Sequence, residues 1–290
     1  MRCLLLGKNG QLGRSFSEIL PEHFDTISLG KSELDVLDLD KIRKTLRTLQ
    51  PDILINASAY TAVDRAESEI DLATRINAIA PRVMAEEMER LGGGMIHFST
   101  DYVFDGNSEQ ANSEADPSAP INVYGASKLY GEHLIQQVHQ RFLIFRTSWV
   151  YTRNGDNFVT KVLKWARENA EISIVSDQIG NPTSARELAG LVTKVLLGAD
   201  GNLSNYLTGV RGIYHCAGKG AVSRYELAKE ILKTEANINP RIVPVTSDKF
   251  LTRARRPRNS SLNLELFEKT FGIPIPSWQE SLRRELGGAG

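Results

Sequence analysis

Tyr124-Gly125-Ala126-Ser127-Lys128 is the segment whose residue types and spacing most directly permit chemistry. On a helix, positions i and i+4 stand one turn apart on one face, so the Tyr124 phenol and the Lys128 ammonium share the same space. A free tyrosine titrates near about 10, and an adjacent cation favours phenolate. The pairing therefore predicts a Tyr124 lowered by Lys128 towards the range in which it exchanges a proton with a reacting oxygen. An amphipathic surface helix has the same spacing, so the companions of the pair decide. Ser99-Thr100-Asp101-Tyr102-Val103-Phe104 closes an apolar run, with Thr100 lying 24 positions (124 − 100) before Tyr124. Thr100 is placed to offer a hydroxyl at a sheet edge where Tyr124 should point; its other reading is a cap on local backbone.

A second constellation is Gly7-Lys8-Asn9-Gly10-Gln11-Leu12-Gly13. This G-x-x-G-x-x-G turn follows an apolar run and opens a helical pattern. Glycines let backbone N–H groups and a helix N-terminus approach a pyrophosphate, although an ordinary glycine-rich turn looks similar. An acid closing the next strand would hydrogen-bond the ribose 2′-OH of NAD, and Ser28-Leu29-Gly30-Lys31-Ser32 offers none there. Lys31 and Ser32 suit a 2′-phosphate instead, which favours NADPH, with NADH as the other candidate.

Alternating short β-rich runs and longer helical patterns must position these groups. Strands are expected at Cys3–Leu6, Thr26–Leu29, Asp52–Asn56, Met95–Ser99 and Phe142–Phe145. Helices are expected from Gln11, over Asp38–Leu49, up to Leu91, and around Tyr124 and Lys128. Such β/α alternation predicts an α/β fold with a Rossmann-type doubly wound parallel sheet, whose sites lie at the carboxyl ends of strands. Residues 1–150 are expected to form the NAD(P)-binding domain and 151–290 mainly a smaller, mixed α/β substrate domain, with segments between about 178 and 215 returning to the first. In the second part, helices are expected over Phe158–Asn169, Ala185–Leu197, Arg224–Lys233 and Trp278–Leu286, and strands over Ile172–Val175 and Ile213–Cys216. Gly106–Pro120, rich in Asn, Ser, Asp and Pro, reads as a surface loop.

Composition narrows the class. The 290 residues are 41% hydrophobic and 24% charged, with 35 basic and 35 acidic side chains, so no overall charge draws the chain to nucleic acid or an anionic membrane. The two cysteines, Cys3 and Cys216, form no ligand cluster and no disulfide framework. The apolar run at the start is too short for a signal peptide, so a cytoplasmic location is expected. His97 sits within an apolar strand and reads as a satisfied core residue rather than a ligand. The Trp278 stretch reads as packing. The run Arg253, Arg255, Arg256 and Arg258 reads either as solvated surface or as a diphosphate contact; a nucleic-acid patch does not suit zero net charge.

Over almost its whole length, the chain resembles the extended short-chain dehydrogenase/reductase superfamily and, within it, the dTDP-4-dehydrorhamnose reductase family. The resemblance rests on Gly7 to Gly13, Asn56 to Asp64, Ser99 to Phe104, Asn122 to Gly125, Arg146 to Tyr151, Asp177-Gln178-Ile179-Gly180-Asn181-Pro182-Thr183 and Ala254-Arg255-Arg256-Pro257. The last two strings are particular to the family. It implies hydride transfer from NADPH or NADH to the C4 ketone of a dTDP-linked 4-dehydro-L-rhamnose, supplying a precursor of surface polysaccharide such as lipopolysaccharide O antigen. By position, Tyr124 would be the proton donor, Lys128 would hold the nicotinamide ribose and Thr100 would orient the sugar carbonyl. Gly10, Gln11 and Leu12 would line the pyrophosphate, Asp35 and Val36 the adenine side, and Ala59, Tyr60 and Thr61 the middle of the cofactor. Asp101 and Trp149 match substrate-contacting positions, and Arg255 and Arg256 are the candidates for the substrate's diphosphate.

Some relatives bind Mg²⁺ through glutamates at a dimer contact, one of them two residues after the third glycine. Here that position is Ser15, which counts against a metal-dependent dimer; monomer and homodimer both stay open. Two rivals share the general pattern. Epimerases and 4,6-dehydratases share the glycine turn and the Tyr/Lys pair, but dehydratases need an Asp-Glu after the threonine, where this chain has Asp101-Tyr102. A non-catalytic binding subunit, as in the regulatory subunit of methionine adenosyltransferase, would not need Tyr124, Lys128 and Thr100 intact.

Overall fold

The structure, a computed structural model, describes residues 1–235 and 240–287. Six parallel strands form the central sheet: β1 (Arg2–Leu6), β2 (Asp25–Leu29), β3 (Ile53–Asn56), β4 (Gly94–Thr100), β5 (Phe142–Thr147) and β6 (Gly212–His215). Their order across the sheet is β6-β5-β4-β3-β1-β2. After β1 the chain adds β2 on one side, then crosses back to place β3 on the other. This reversal opens a crevice beyond the carboxyl ends of β1 and β3.

Alternate residues of β1 show why the sheet is covered on both faces. Cys3 and Leu5 join one core cluster, Leu4 and Leu6 the other, and all four are buried. On the first face lie α1 (Gln11–Ile19), through Phe16, and a later helix over Ala185–Leu197, through Leu188 and Val192. On the second lie α2 (Leu39–Leu49), through Ile42 and Leu46, α3 (Ala80–Leu91), through Met84 and Met88, and α4 (Val123–Val138), through Ile135. Local chemistry starts these helices: Asp38 caps α2 by accepting from the Lys41 amide at 2.9 Å, and Asn122 caps α4 by accepting from the Gly125 amide at 2.8 Å.

A third apolar cluster gathers Tyr151, Ile172 and Ile174 with residues of α5 (Phe158–Glu168), α7 (Arg224–Lys233) and α8 (Trp278–Leu286), where the helix over Ala185–Leu197 is α6. Trp278 lies in this cluster, as the packing reading expected. A separate pair of parallel strands, Glu171–Val175 and Arg241–Val245, flanks it. The chain crosses between the two regions, since α6 packs on α1 and β6 completes the central sheet beside β5. The loop over 106–120 is pinned rather than free, because Asn112 pairs with Leu262 and the Glu114 carboxylate accepts from the His215 amide at 2.7 Å.

Both cysteines are buried free thiols. Among the described residues, no helix is long and apolar enough to cross a membrane.

Candidate active site

Two joined cavities fill the crevice. One of about 320 Å³ reaches from Gly7 and Gly10 to Lys31, Asp35 and Val36. The other, about 390 Å³, contains Thr100, Tyr124, Lys128 and Trp149, and the two share Gly10, Ala57 and Ala59. A larger hollow of about 1000 Å³ lies at the opposite, amino end of the strands, between Met1, Pro51, Gly94 and Leu203, remote from these groups.

The glycine turn is shaped for a phosphate. Gly7 has φ of +90°, and a Cβ there would stand 2.7 Å from the Ser58 amide nitrogen. A Cβ on Gly13 would stand 2.0 Å from the Gly7 carbonyl oxygen, so Gly13 lets α1 start directly under the turn without itself lining the crevice. No side chain caps α1 at Gly10, and its first turn has no acid. The first amide N–H groups of a nine-residue helix are therefore left to an anion. Gln11 ties this turn to a distant loop by accepting from Asn157 Nδ2 at 3.0 Å.

Lys31, Asp35, Val36, Ala59 and Tyr60 line the first cavity, and Gln11, Leu12 and Thr61 the second. The Lys31 side chain is 81% exposed and stands 3.7 Å from Asp35. Sequence reasoning stopped one residue short of Glu33, whose carboxylate accepts from the Gly30 amide at 3.0 Å and the Lys8 ammonium at 2.6 Å. The Lys8 contact foremost holds Glu33 down to about 2. An acid thus does follow β2, but it is engaged with Lys8 and Gly30.

Tyr124 and Lys128 share the inner cavity, one turn apart on α4, as the spacing predicted. Gly125 brings α4 close enough to do this: a Cβ there would stand 2.1 Å from the Tyr102 carbonyl oxygen. The electrostatic expectation is reversed. Burial pushes the Tyr124 phenol up, and Thr100 beside it opposes the shift. Lys128 is instead directed at His97, with Nζ 3.2 Å from Nε2. Burial presses Lys128 down to about 8, against the pull of Glu132, whose carboxylate is held by Arg146 at 2.7 Å. His97 is buried and also meets Asn56 Nδ2 through Nδ1 at 3.1 Å, so the satisfied core histidine lies directly behind Lys128.

Thr100 fulfils both of its readings. Its hydroxyl lines the cavity and accepts from the Tyr102 amide at 3.2 Å, while donating to Asp101 Oδ1 at 3.0 Å. The hydroxyls of Ser148 and Ser260 also donate to Asp101, at 2.9 and 2.5 Å. That carboxylate therefore has its partners within the protein and fixes the Thr100 hydroxyl. Trp149 faces the same cavity with φ of +47°, a conformation uncommon for a bulky residue and typical of functional sites.

The arginine run divides. The Arg255 side chain is exposed and lines neither cavity; its carbonyl accepts from Asn122 Nδ2 at 2.9 Å. Arg256 pairs with Asp64 at 2.7 Å and borders a neighbouring groove of about 650 Å³. Two further residues were missed. Asn77, in a π-helical turn over Arg75–Ile79, donates to Ser127 Oγ at 2.9 Å and accepts from the Tyr60 amide at 2.8 Å, tying the Ala59–Thr61 segment to α4. Arg224 lines both the inner cavity and the neighbouring groove. Only the π-turn had no local signal; Arg224 was visible as the first residue of an expected helix. Ser15 is buried, and among the described residues no group of three or more His, Cys, Asp or Glu side chains stands ready to hold a metal.

A doubly wound parallel sheet with a glycine turn at its switch point and a Tyr/Lys pair opening onto the same crevice defines an extended short-chain dehydrogenase/reductase. The model of the family described as RmlD substrate binding domain matches residues 1–288. A dTDP-4-dehydrorhamnose reductase of Sinorhizobium fredii is 39% identical over 98% of this chain and 96% of its own length. That of Escherichia coli K12 is 37% identical over 99% and 97%. The crystal structure of the Bacillus anthracis dTDP-4-dehydrorhamnose reductase in complex with NADP superposes with a TM-score of 0.91, at 36% identity over 99% of both chains. The chain belongs to the dTDP-4-dehydrorhamnose reductase family of oxidoreductases.

Proposed function

We propose that this protein reduces the C4 ketone of dTDP-4-dehydro-L-rhamnose to give dTDP-L-rhamnose, with NADPH as reductant and Tyr124 as proton donor. The observation that carries the proposal is the opening of Tyr124, Lys128 and Thr100 onto the cavity that continues to the glycine turn. The turn fits a dinucleotide, since its uncapped helix start and its missing Cβ atoms leave room and donors for a pyrophosphate. When bound, NADPH supplies the hydride. Its adenosine end is assigned to the cavity beside Lys31, Asp35, Val36 and Tyr60, its pyrophosphate to Gly10, Gln11 and Leu12, and its middle to Ala59 and Thr61.

The side chains then have separable tasks. Thr100, fixed by the Tyr102 amide and Asp101, stands beside Tyr124 in the cavity and orients the sugar carbonyl. Tyr124 releases the proton to the sugar oxygen as alkoxide character grows there, so charge never builds up unquenched in a buried site. Lys128, anchored on His97, holds the nicotinamide ribose. Trp149 offers an indole face to the apolar side of the sugar. In place of Arg255, the groove containing Arg256 is the path for the nucleotide half of the substrate. The product suits surface polysaccharide synthesis in the cytoplasm.

A coupled assay tests this reading. dTDP-4-dehydro-6-deoxyglucose is supplied with a 3,5-epimerase, and the loss of NADPH absorbance is followed. Wild-type protein is expected to consume NADPH only when both are present. Tyr124→Phe should lower kcat about 10²- to 10⁴-fold while NADPH affinity stays within about twofold. Unaltered turnover in that variant would reject the proton-donor role.

A further inference from the structure

Arg224, the first residue of α7, stands where the inner cavity meets the groove beside it. Its guanidinium carbon lies 3.5 Å from the centre of the Trp149 ring and 4.7 Å from that of Phe158, so two aromatic faces hold the plane of the fork. Among the described residues, no carboxylate lies within ion-pairing distance of it. Tyr102 is its polar neighbour, and burial brings the guanidinium down to about 10. Asp101 is close, but its oxygens already accept from Thr100, Ser148 and Ser260. Half-buried against two aromatic rings and, among the described residues, without a carboxylate partner, Arg224 keeps N–H donors for an anion.

The other cations along this path are already engaged. Arg256 is paired with Asp64 at 2.7 Å and Lys161 with Asp156 at 3.0 Å. Arg255 is exposed and lines neither space. A sugar held against Trp149 and Tyr124, joined to a nucleoside in the groove, must pass its linking diphosphate across Arg224. Guanidinium matches phosphate oxygens with two parallel hydrogen bonds, which an ammonium cannot do.

Resting on the reductase reading above, we infer that Arg224 is the residue that recognises the substrate's diphosphate, and that it does so while bracing Trp149 against the sugar. Phosphate binding and sugar placement are thereby coupled through one side chain.

The test is calorimetric titration of dTDP, and separately of thymidine, into the protein saturated with NADP⁺. Arg224→Gln is expected to weaken dTDP about 10- to 100-fold, the range for loss of a charged hydrogen-bonded contact. NADPH affinity and thymidine binding should stay within about twofold. Arg224→Lys, which keeps the charge and the stem without the fork, should fall between the two proteins and serves where the glutamine variant melts early. Arg256→Gln should cost less than either. The proposal is overturned if wild-type protein binds dTDP and turns over the dTDP sugar while the Arg224 variants bind dTDP as tightly, or if Arg256→Gln has the larger effect. Wild-type protein that neither binds dTDP nor oxidises NADPH with the dTDP sugar overturns the reductase reading itself.

Discussion

Lys128 offers the sharpest quantitative test, because its position costs the fold stability. Its pKa falls from 10.5 to about 8 through burial, so the folded protein holds this proton less tightly than the unfolded chain. At about 1.4 kcal/mol per tenfold change in proton affinity, the shift corresponds to about 3 kcal/mol. Below pH 8 both states carry the proton and the full penalty applies. Between 8 and 10.5 the unfolded chain binds more protons, so stability rises with pH and the penalty disappears near the upper value. Lys128→Met keeps the stem and removes the charge, leaving His97 Nε2 without its 3.2 Å neighbour at a cost of about 1 kcal/mol. The variant without cofactor should thus be more stable than wild type by about 2 kcal/mol at pH 7, measured by urea unfolding, and the advantage should stay level to about pH 8 and shrink from there towards pH 10.5. Its catalytic activity should be severely reduced. A variant less stable than wild type at pH 7, or an advantage that does not shrink with pH, would refute the account of a buried ammonium.

Two further outcomes follow from distances at the site. Lys31→Ala should weaken NADPH by about two- to fivefold and leave NADH unchanged, as suits a side chain that is 81% exposed; equal changes in the two dissociation constants would remove the 2′-phosphate role. Gly125→Ala places a methyl group 2.1 Å from the Tyr102 carbonyl, so α4 must retreat; unfolding free energy should drop by about 1 to 3 kcal/mol and kcat by about 10- to 100-fold, and a variant with wild-type values of both would show that the close approach is unimportant.

The sequence made some of this visible because the relevant information was local. An i,i+4 spacing brings Tyr124 and Lys128 to one face whatever surrounds them, and three glycines in seven residues announce a tight turn before α1. Helix ends at Leu49, Leu91, Leu197 and Lys233 could be read from the apolar period, which is a local property of the chain. What stayed hidden depends on approach across the fold. Lys128 meets His97 from 31 residues away, and Asn77 meets Ser127 from 50. Neither periodicity nor spacing encodes those meetings. The prediction about Tyr124 failed for the same reason: the cation beside it along the helix turned to His97, and burial, a property of the whole crevice, controlled the phenol.

That failure bears on the direction of the reaction. An epimerase or dehydratase begins by oxidising the sugar, so its tyrosine must start as phenolate and take a proton from the hydroxyl. A reductase needs the opposite, a neutral phenol that gives up its proton only when the ketone oxygen gains charge. Burial pushes the Tyr124 phenol up, towards the protonated form, and Thr100 beside it opposes that shift only in part. Asp101 is followed by Tyr102, so the second carboxylate that a dehydratase uses to remove water is absent from that position. A buried phenol that starts protonated suits the reductive half of this chemistry, and the missing carboxylate after Asp101 separates the site from that of a dehydratase.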